Sequence, residues 1–215
     1  MATLQARLNR EEADRSKAEK AEEILSKYRE PLVHAAFELQ SRLYNILKKN
    51  SLGRFYLNGT DRERDYIVES TLYVIAQYFG WTEVIRREIQ FLNLGEADAT
   101  RKLMQLQENI GAMFLSDRYG ESFRIFRGEQ RAIGERMMLL EDHNHSVLGY
   151  ASFVEMKELG FQHWFEGLRQ DVGVLSQDVA KHSARLTQIQ HALIDLIEHL
   201  DPQRIRFSAK YRLKA

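Results

Sequence analysis

Thr60–Leu94, TDRERDYIVESTLYVIAQYFGWTEVIRREIQFLNL, decides the fold. Its middle, STLYVIAQYFGWT from Ser70 to Thr82, is thirteen residues without a charge, in a chain where 29% of residues are charged. A helix apolar on nearly all sides has to be surrounded by other elements. Thirteen residues are too few to span a bilayer, which takes about 20. The stretch therefore predicts a central core helix. Thr60-Asp61-Arg62-Glu63 reads as a capping box at its start, with the threonine hydroxyl and the glutamate satisfying free amides reciprocally. The helix is expected to end at Gly80, and a short amphipathic helix to follow over 82–93.

The rest of the chain is read outward from that helix. Residues 31–50 carry Leu32, Ala35, Ala36, Leu39, Leu43, Ile46 and Leu47 at spacings of three and four, one solid apolar face. Helices are likewise expected over 96–116, 129–141, 146–159 and 161–200, the last with a bend at Gly173. Glu30-Pro31 predicts a break ahead of 31–50, because proline suits a first turn and clashes in a helix interior. Before it, residues 3–30 read as a charged helical arm with a narrow apolar stripe of Leu4, Leu8, Ala18, Ala21, Leu25 and Tyr28. Two readings stay open for the arm: a solvated helix packed only near its C-terminal end, or a coiled-coil arm pairing through Leu4, Leu8, Leu25 and Tyr28.

Two segments alternate apolar and polar residues with period two: Ser122–Phe126 and Ile205–Leu213. They predict a small β element formed by about 122–126 and 204–214, the second with a basic face. The expected architecture is thus an all-α bundle: arm 1–30, core domain 31–200, and basic strand or tail 201–215.

Composition bounds the chemistry. Cysteine is absent, which excludes disulfides, thiolate zinc sites and cysteine nucleophiles. It also fits a reducing cytosol, and the N-terminal sequence has no apolar signal region; a cytoplasmic or membrane-peripheral protein is expected, not a transmembrane one. Lys plus Arg and Asp plus Glu both number 31. Attraction for nucleic acid or anionic lipid must then come from a local patch.

The candidate anion-binding residues are Arg127 and Arg131, in the run FRGEQRAIGE, and the tail cations Arg204, Arg206, Lys210 and Arg212. Guanidinium groups beside helix-terminal amides suit phosphate or carboxylate; a tight turn with an Arg–Glu network is the competing reading. A metal site is considered at His191, Asp195, Glu198 and His199, spaced to share one helix side, against the simpler reading of a solvated face. His143-Asn144-His145 is a second short metal-like motif. Glu-x-x-His, which a di-iron bundle requires, does not occur. No cofactor is expected. Glu69, next to the uncharged run, is expected to be buried beside an arginine.

The segments KYREPL (Lys27–Leu32), LQSRLYN (Leu39–Asn45) and FRGEQ (Phe126–Gln130) resemble segments of uncharacterised bacterial helical proteins. The resemblance spans about residues 25–160. It implies a helical fold and no assigned activity, cofactor or catalytic residue. Some of those proteins precede this region with a membrane anchor, where this chain has the charged helix. The leading functional expectation is a non-enzymatic interaction or scaffold protein that self-associates through 3–30, the tail, or both. The alternative is an anion or nucleic-acid binder, and the third is a metal-dependent enzyme at the 191–199 helix.

Overall fold

The computed structural model describes residues 2–91, 98–141, 144–156 and 161–215. The chain is mainly helical: α1 (Ala2–Lys49), α2 (Asp61–Phe91), α3 (Asp98–Leu115), α4 (Arg127–Met137), α5 (Tyr150–Glu155), α6 (Glu166–Gln177), α7 (Val179–His182) and α8 (Ala184–Leu200), with one antiparallel hairpin of β1 (Met138–Glu141) and β2 (Asn144–Val147) between α4 and α5. α2 is the centre, touching α1, α4, both hairpin strands, α5 and α6. Leu72, Ile75 and Ala76 have no exposed surface, and Tyr78 has 1%. The capping box forms as expected: Glu63 N donates to Thr60 Oγ1 at 3.3 Å, and Thr60 N to Glu63 Oε2 at 2.8 Å.

The proline does not break α1, which runs unbroken through Pro31. A proline in a helix interior costs about 3 kcal/mol. Tyr28, Leu32, Val33, Ala35 and Ala36 are all buried on both sides of it, so packing keeps the helix continuous across the missing hydrogen bond. The arm is exposed from Leu4 to Lys20, and from Ala21 onward one face of it is buried through Ala21, Ile24, Leu25 and Tyr28, so the boundary expected at 30 falls inside one continuous helix. Gly80 does not end α2 either. A Cβ there would lie 2.8 Å from Val147 Cγ1 and 3.0 Å from Met137 Cβ; the glycine lets the hairpin lie against the helix.

The β element is not at 122–126 and 204–214. The hairpin instead pairs Met138 with Val147 and Glu141 with Asn144, where the pattern suggested a helix end and a polar loop. Segment 122–126 is a turn: Phe123 has φ 57°, and its amide donates to Asp171 Oδ2 at 2.7 Å. Its period-two look comes from Phe123 and Ile125 both plugging the core from irregular backbone. The 161–200 pattern spans a 3-10 turn (Phe161–Trp164) and three α-helices, the latter interrupted at Asp178 and Ser183 rather than Gly173. Asp178 accepts from Lys181 N at 3.0 Å and starts a new turn. Gly173 lets the Tyr56 hydroxyl come close, 3.0 Å from where a Cβ would be.

Arg185, 1% exposed, fastens the start of α8 to the α3–α4 connection. Its guanidinium donates to the carbonyls of Met113 (2.6 Å), Phe114 (2.9 Å), Gly120 (2.6 Å) and Ser122 (2.9 Å). A buried charge is tolerable only when its donors are satisfied, and four carbonyls do so here. Arg185→Met removes the charge and leaves those carbonyls short of a partner, so urea unfolding is expected to show a loss of about 3 kcal/mol or more. A loss below about 1 kcal/mol would show that the loop does not depend on it.

Candidate ligand-binding groove

Most candidates from the sequence turn out to be spent inside the chain. The tail 201–215 is a compact knot around Asp201, not a strand. The Asp201 carboxylate accepts from the amides of Ile205 (2.9 Å), Arg206 (3.1 Å) and Phe207 (3.2 Å), and pairs with Arg212. Arg212 is 6% exposed, whereas Ile205 is 69% and Leu213 53% exposed, the reverse of the expected alternation. Arg204 lies 3.6 Å from Glu198, and Arg206 pairs with Glu30. Lys210 sits over the Tyr211 ring at 4.7 Å. The Phe207 ring stacks on Phe37 at 3.6 Å between centroids. Gln40 and Gln190 close the knot by donating to the carbonyls of Tyr211 and Leu213.

The metal candidates are engaged by the same tail. Asp195 pairs with Lys214 at 2.7 Å, Glu198 with Arg212 at 3.3 Å, and His191 Nε2 bonds the Ala215 carbonyl at 2.8 Å. Burial lowers the pKa of His199, with Lys102 and Arg29 adding to the effect. Among the described residues no group of three His, Asp or Glu converges to hold a metal. In the second motif, His143 lies outside the described residues. His145 Nδ1 meets Glu88 Oε1 at 2.9 Å, and the Tyr28 hydroxyl donates to the same oxygen at 2.8 Å; this cluster ties β2 to α2 and α1. Leu25 and Tyr28, expected to face a partner, are 9% and 2% exposed within the chain's own core. Leu4 and Leu8 are 63% and 50% exposed. Glu69 is buried and pairs with Arg169, as expected of a carboxylate beside the uncharged run.

Arg127 and Arg131 lie on one side of α4 and line a pocket between α2, α3 and α4. Arg127 pairs with Glu108 across it. Gly111 leaves room for that guanidinium: a Cβ there would lie 2.6 Å from Arg127 Nη1. Nearby, Glu83 is 2% exposed. Burial pushes its carboxyl pKa up, but Arg86 and Arg87 outweigh burial and hold it low.

A second cavity is not foreseen in the sequence reading. It is a groove of about 1350 Å³ between the C-terminal half of α1 and the N-terminal half of α2. Arg42, Lys49, Arg54 and Arg62 line it, against Glu38 and Glu63, and Glu63 is already held by Thr60. Tyr66, Tyr73 and Tyr150 form its aromatic wall, with Tyr150 edge-on to both other rings at 6.3 and 5.3 Å. Arg42 is half-buried, and among the described residues no carboxylate forms an ion pair with it. Burial pulls its pKa below the usual arginine value, with the Tyr66 hydroxyl opposing. Ser51, 7% exposed, also lines the groove, and its Oγ meets no partner among the described residues. The sequence held only a weak signal for this site. Arg42 and Tyr66 sit at polar positions of two amphipathic patterns, and nothing local says that those positions face each other.

The knot makes stability pH-dependent. Burial raises the Asp201 pKa, but the amides of Phe207, Ile205 and Arg206 and the charge of Arg212 outweigh burial and leave it depressed. A carboxylate with a lowered folded-state pKa contributes stability that is complete above its unfolded value, about 3.9, and lost as pH falls through the folded value. Hydrogen-exchange protection of 203–213, taken relative to the intrinsic rate at each pH, is therefore expected to be unchanged from neutral pH down to about 5 and to fall below about 4, with Asp201→Asn lowering it at neutral pH.

No helix among the described residues is long and apolar enough to cross a membrane. Comparison with protein-family models, with curated proteins and with solved structures finds no match to this chain.

Proposed function

We propose that the protein is a non-enzymatic binding protein that holds a phosphate-bearing ligand with a planar body in the α1/α2 groove. Arg42 carries this reading. A half-buried guanidinium without a carboxylate partner, in a groove that the unpartnered Ser51 hydroxyl also lines, is an arrangement that an anion completes. Lys49, Arg54 and Arg62 extend the positive lining, and the tyrosine wall offers faces for stacking. The tail arginines are engaged within the chain, so the anion-binding reading moves from them to the groove. A cytoplasmic setting belongs to the same proposal and rests on the missing cysteines.

Titration calorimetry at low salt tests it with three probes: ATP, tripolyphosphate and adenosine. ATP is expected to bind saturably, tripolyphosphate more weakly and adenosine least. Added salt should weaken both phosphates, and Arg42→Met should weaken ATP roughly tenfold or more. Failure of ATP to saturate, or full retention in Arg42→Met, overturns the reading.

A second reading, self-association into a homo-oligomer, is favoured by the exposed stretch Leu4–Lys20 of α1. It places Leu4 and Leu8 in water, and internal support comes chiefly from exposed pairs such as Arg7–Glu11 and Arg15–Glu19. Such pairs contribute only about 0.3–0.5 kcal/mol each. Deleting 2–19 is expected to leave the melting temperature unchanged while light scattering drops to the monomer mass. A full chain that is already monomeric at high concentration removes this reading.

A further inference from the structure

The pocket between α2, α3 and α4 has a volume of about 420 Å³, within the range of small-molecule sites. Three buried polar groups line it without a partner among the described residues: the Tyr78 hydroxyl, the Thr82 hydroxyl and the Gln107 Nε2 amide. Tyr78 is 1% and Gln107 9% exposed. Tyr78 and Thr82 stand one turn apart on α2, and Gln107 comes from α3.

The other polar groups of the lining are already engaged. Gln130 Nε2 donates to the carbonyls of Gly111 (2.9 Å) and Ile125 (2.8 Å). Arg127 is held by Glu108, and Arg86 by Glu83. Arg131 is the lining cation with no ion pair among the described residues. Burial pushes the Tyr78 phenol far above its usual pKa, with the nearby Thr82 hydroxyl offsetting part of the rise, so it stays protonated and able to donate at any working pH. Phe79, Ile89 and Met104 supply an apolar wall.

A neighbouring pair of buried hydroxyls, a free amide, one uncommitted guanidinium and an apolar wall call for a compact molecule with clustered acceptors and a hydrocarbon body. We infer that this pocket is a second ligand site, separate from the α1/α2 groove, that takes a small carboxylic acid with an aryl or short alkyl body. Such an acid accepts from Tyr78, Thr82 and Gln107, meets Arg131 with its charge, and lays its body against Phe79, Ile89 and Met104. Leaving a buried donor unpaired is costly, whereas pairing it with a charged acceptor is favourable. The donors thereby select for an acceptor-bearing ligand over an equally sized hydrocarbon.

Saturation-transfer NMR with benzoate and benzyl alcohol on the full chain tests the inference. Benzoate is expected to bind saturably and benzyl alcohol at least roughly tenfold more weakly. Arg131→Met, a substitution at an exposed side chain, should weaken benzoate by a similar factor, and Gln107→Leu should weaken it too. Arg42→Met, in the other groove, should leave it unchanged. If Gln107→Leu does not fold, Arg131→Met alone decides. Benzoate that does not saturate, that binds Arg131→Met as well as the parent chain, or that is lost with Arg42→Met overturns the second site. The last result points to the groove instead. Failure of ATP to bind the groove leaves this test untouched, because the two probes answer to different arginines.

Discussion

The fold depends on one requirement: the uncharged run Ser70–Thr82 of α2 must be kept from water on every side. Burying an apolar side chain of the size of leucine or phenylalanine is worth about 1.5–3 kcal/mol. Leu72, Val74, Ile75, Tyr78 and Phe79, all buried, present that gain on more than one face of a single rod. One partner helix cannot collect it. α1 covers one side, α4 and the hairpin another, and α5 and α6 a third. Close approach is reached at glycines. Gly134 of α4 lies against the backbone of α2, where a Cβ would sit 2.7 Å from the Phe79 carbonyl oxygen. Gly80 does the same for the hairpin. The coat is assembled from short, discontinuous pieces, so its joints need separate fastening.

Buried polar residues provide that fastening. Arg185 gathers two carbonyls from the last turn of α3 and two from the loop to α4, Asp201 gathers three tail amides and Arg212, and Gln40 and Gln190 bridge α1, α8 and the tail. Each lies where irregular backbone would otherwise carry unsatisfied groups into the interior. The net contribution of such bonds is modest, but their loss is expensive, because the partner left behind remains buried. They fix where the loops and tail go more than they add to overall stability. In the basic tail, Arg204, Arg206 and Arg212 pair with the chain's own carboxylates Glu198, Glu30 and Asp201.

What the sequence made legible, and what it did not, divides along the same line. The central helix, its capping box, the apolar face of 31–50 and the burial of Glu69 follow from local period and composition, which report which residues want to leave water. The positions of the breaks do not. Pro31 and Gly80 look like stops, yet packing on both flanks overrides them. Asp178 and Ser183 look like ordinary members of a long helix, yet that is where the chain turns. The hairpin at 138–147 hid inside a helix end and a polar loop, because four-residue strands are too short to establish a period. In the tail, alternation suggested a strand where the buried residue is Arg212, a choice dictated by Asp201 eleven positions earlier. Arg127 and Arg131 were found by composition and do share a pocket. Arg42 was not found, since its importance arises only when α1 and α2 are laid side by side.

Both cavities open where the coat over α2 parts. The groove lies along its N-terminal half, Thr60 to Val74, and the pocket along its C-terminal half, Tyr78 to Gln90. Between them the run is sealed by apolar contact. At either end the helix turns polar, and covering elements can no longer gain by closing on it. Ser51 at one end, and Tyr78, Thr82 and Gln107 at the other, carry polar atoms into the margins of an apolar seal without a hydrogen-bond partner among the described residues, and Arg42 lies there without a carboxylate. A fold selected for stability alone would fill such margins with hydrocarbon or pair their donors, since either change is neutral or favourable. Donors and guanidinium groups left open at both margins are what a protein retains when occupancy from outside completes them. On that argument α2 both organises the core and positions the two proposed binding sites, with its middle committed to folding.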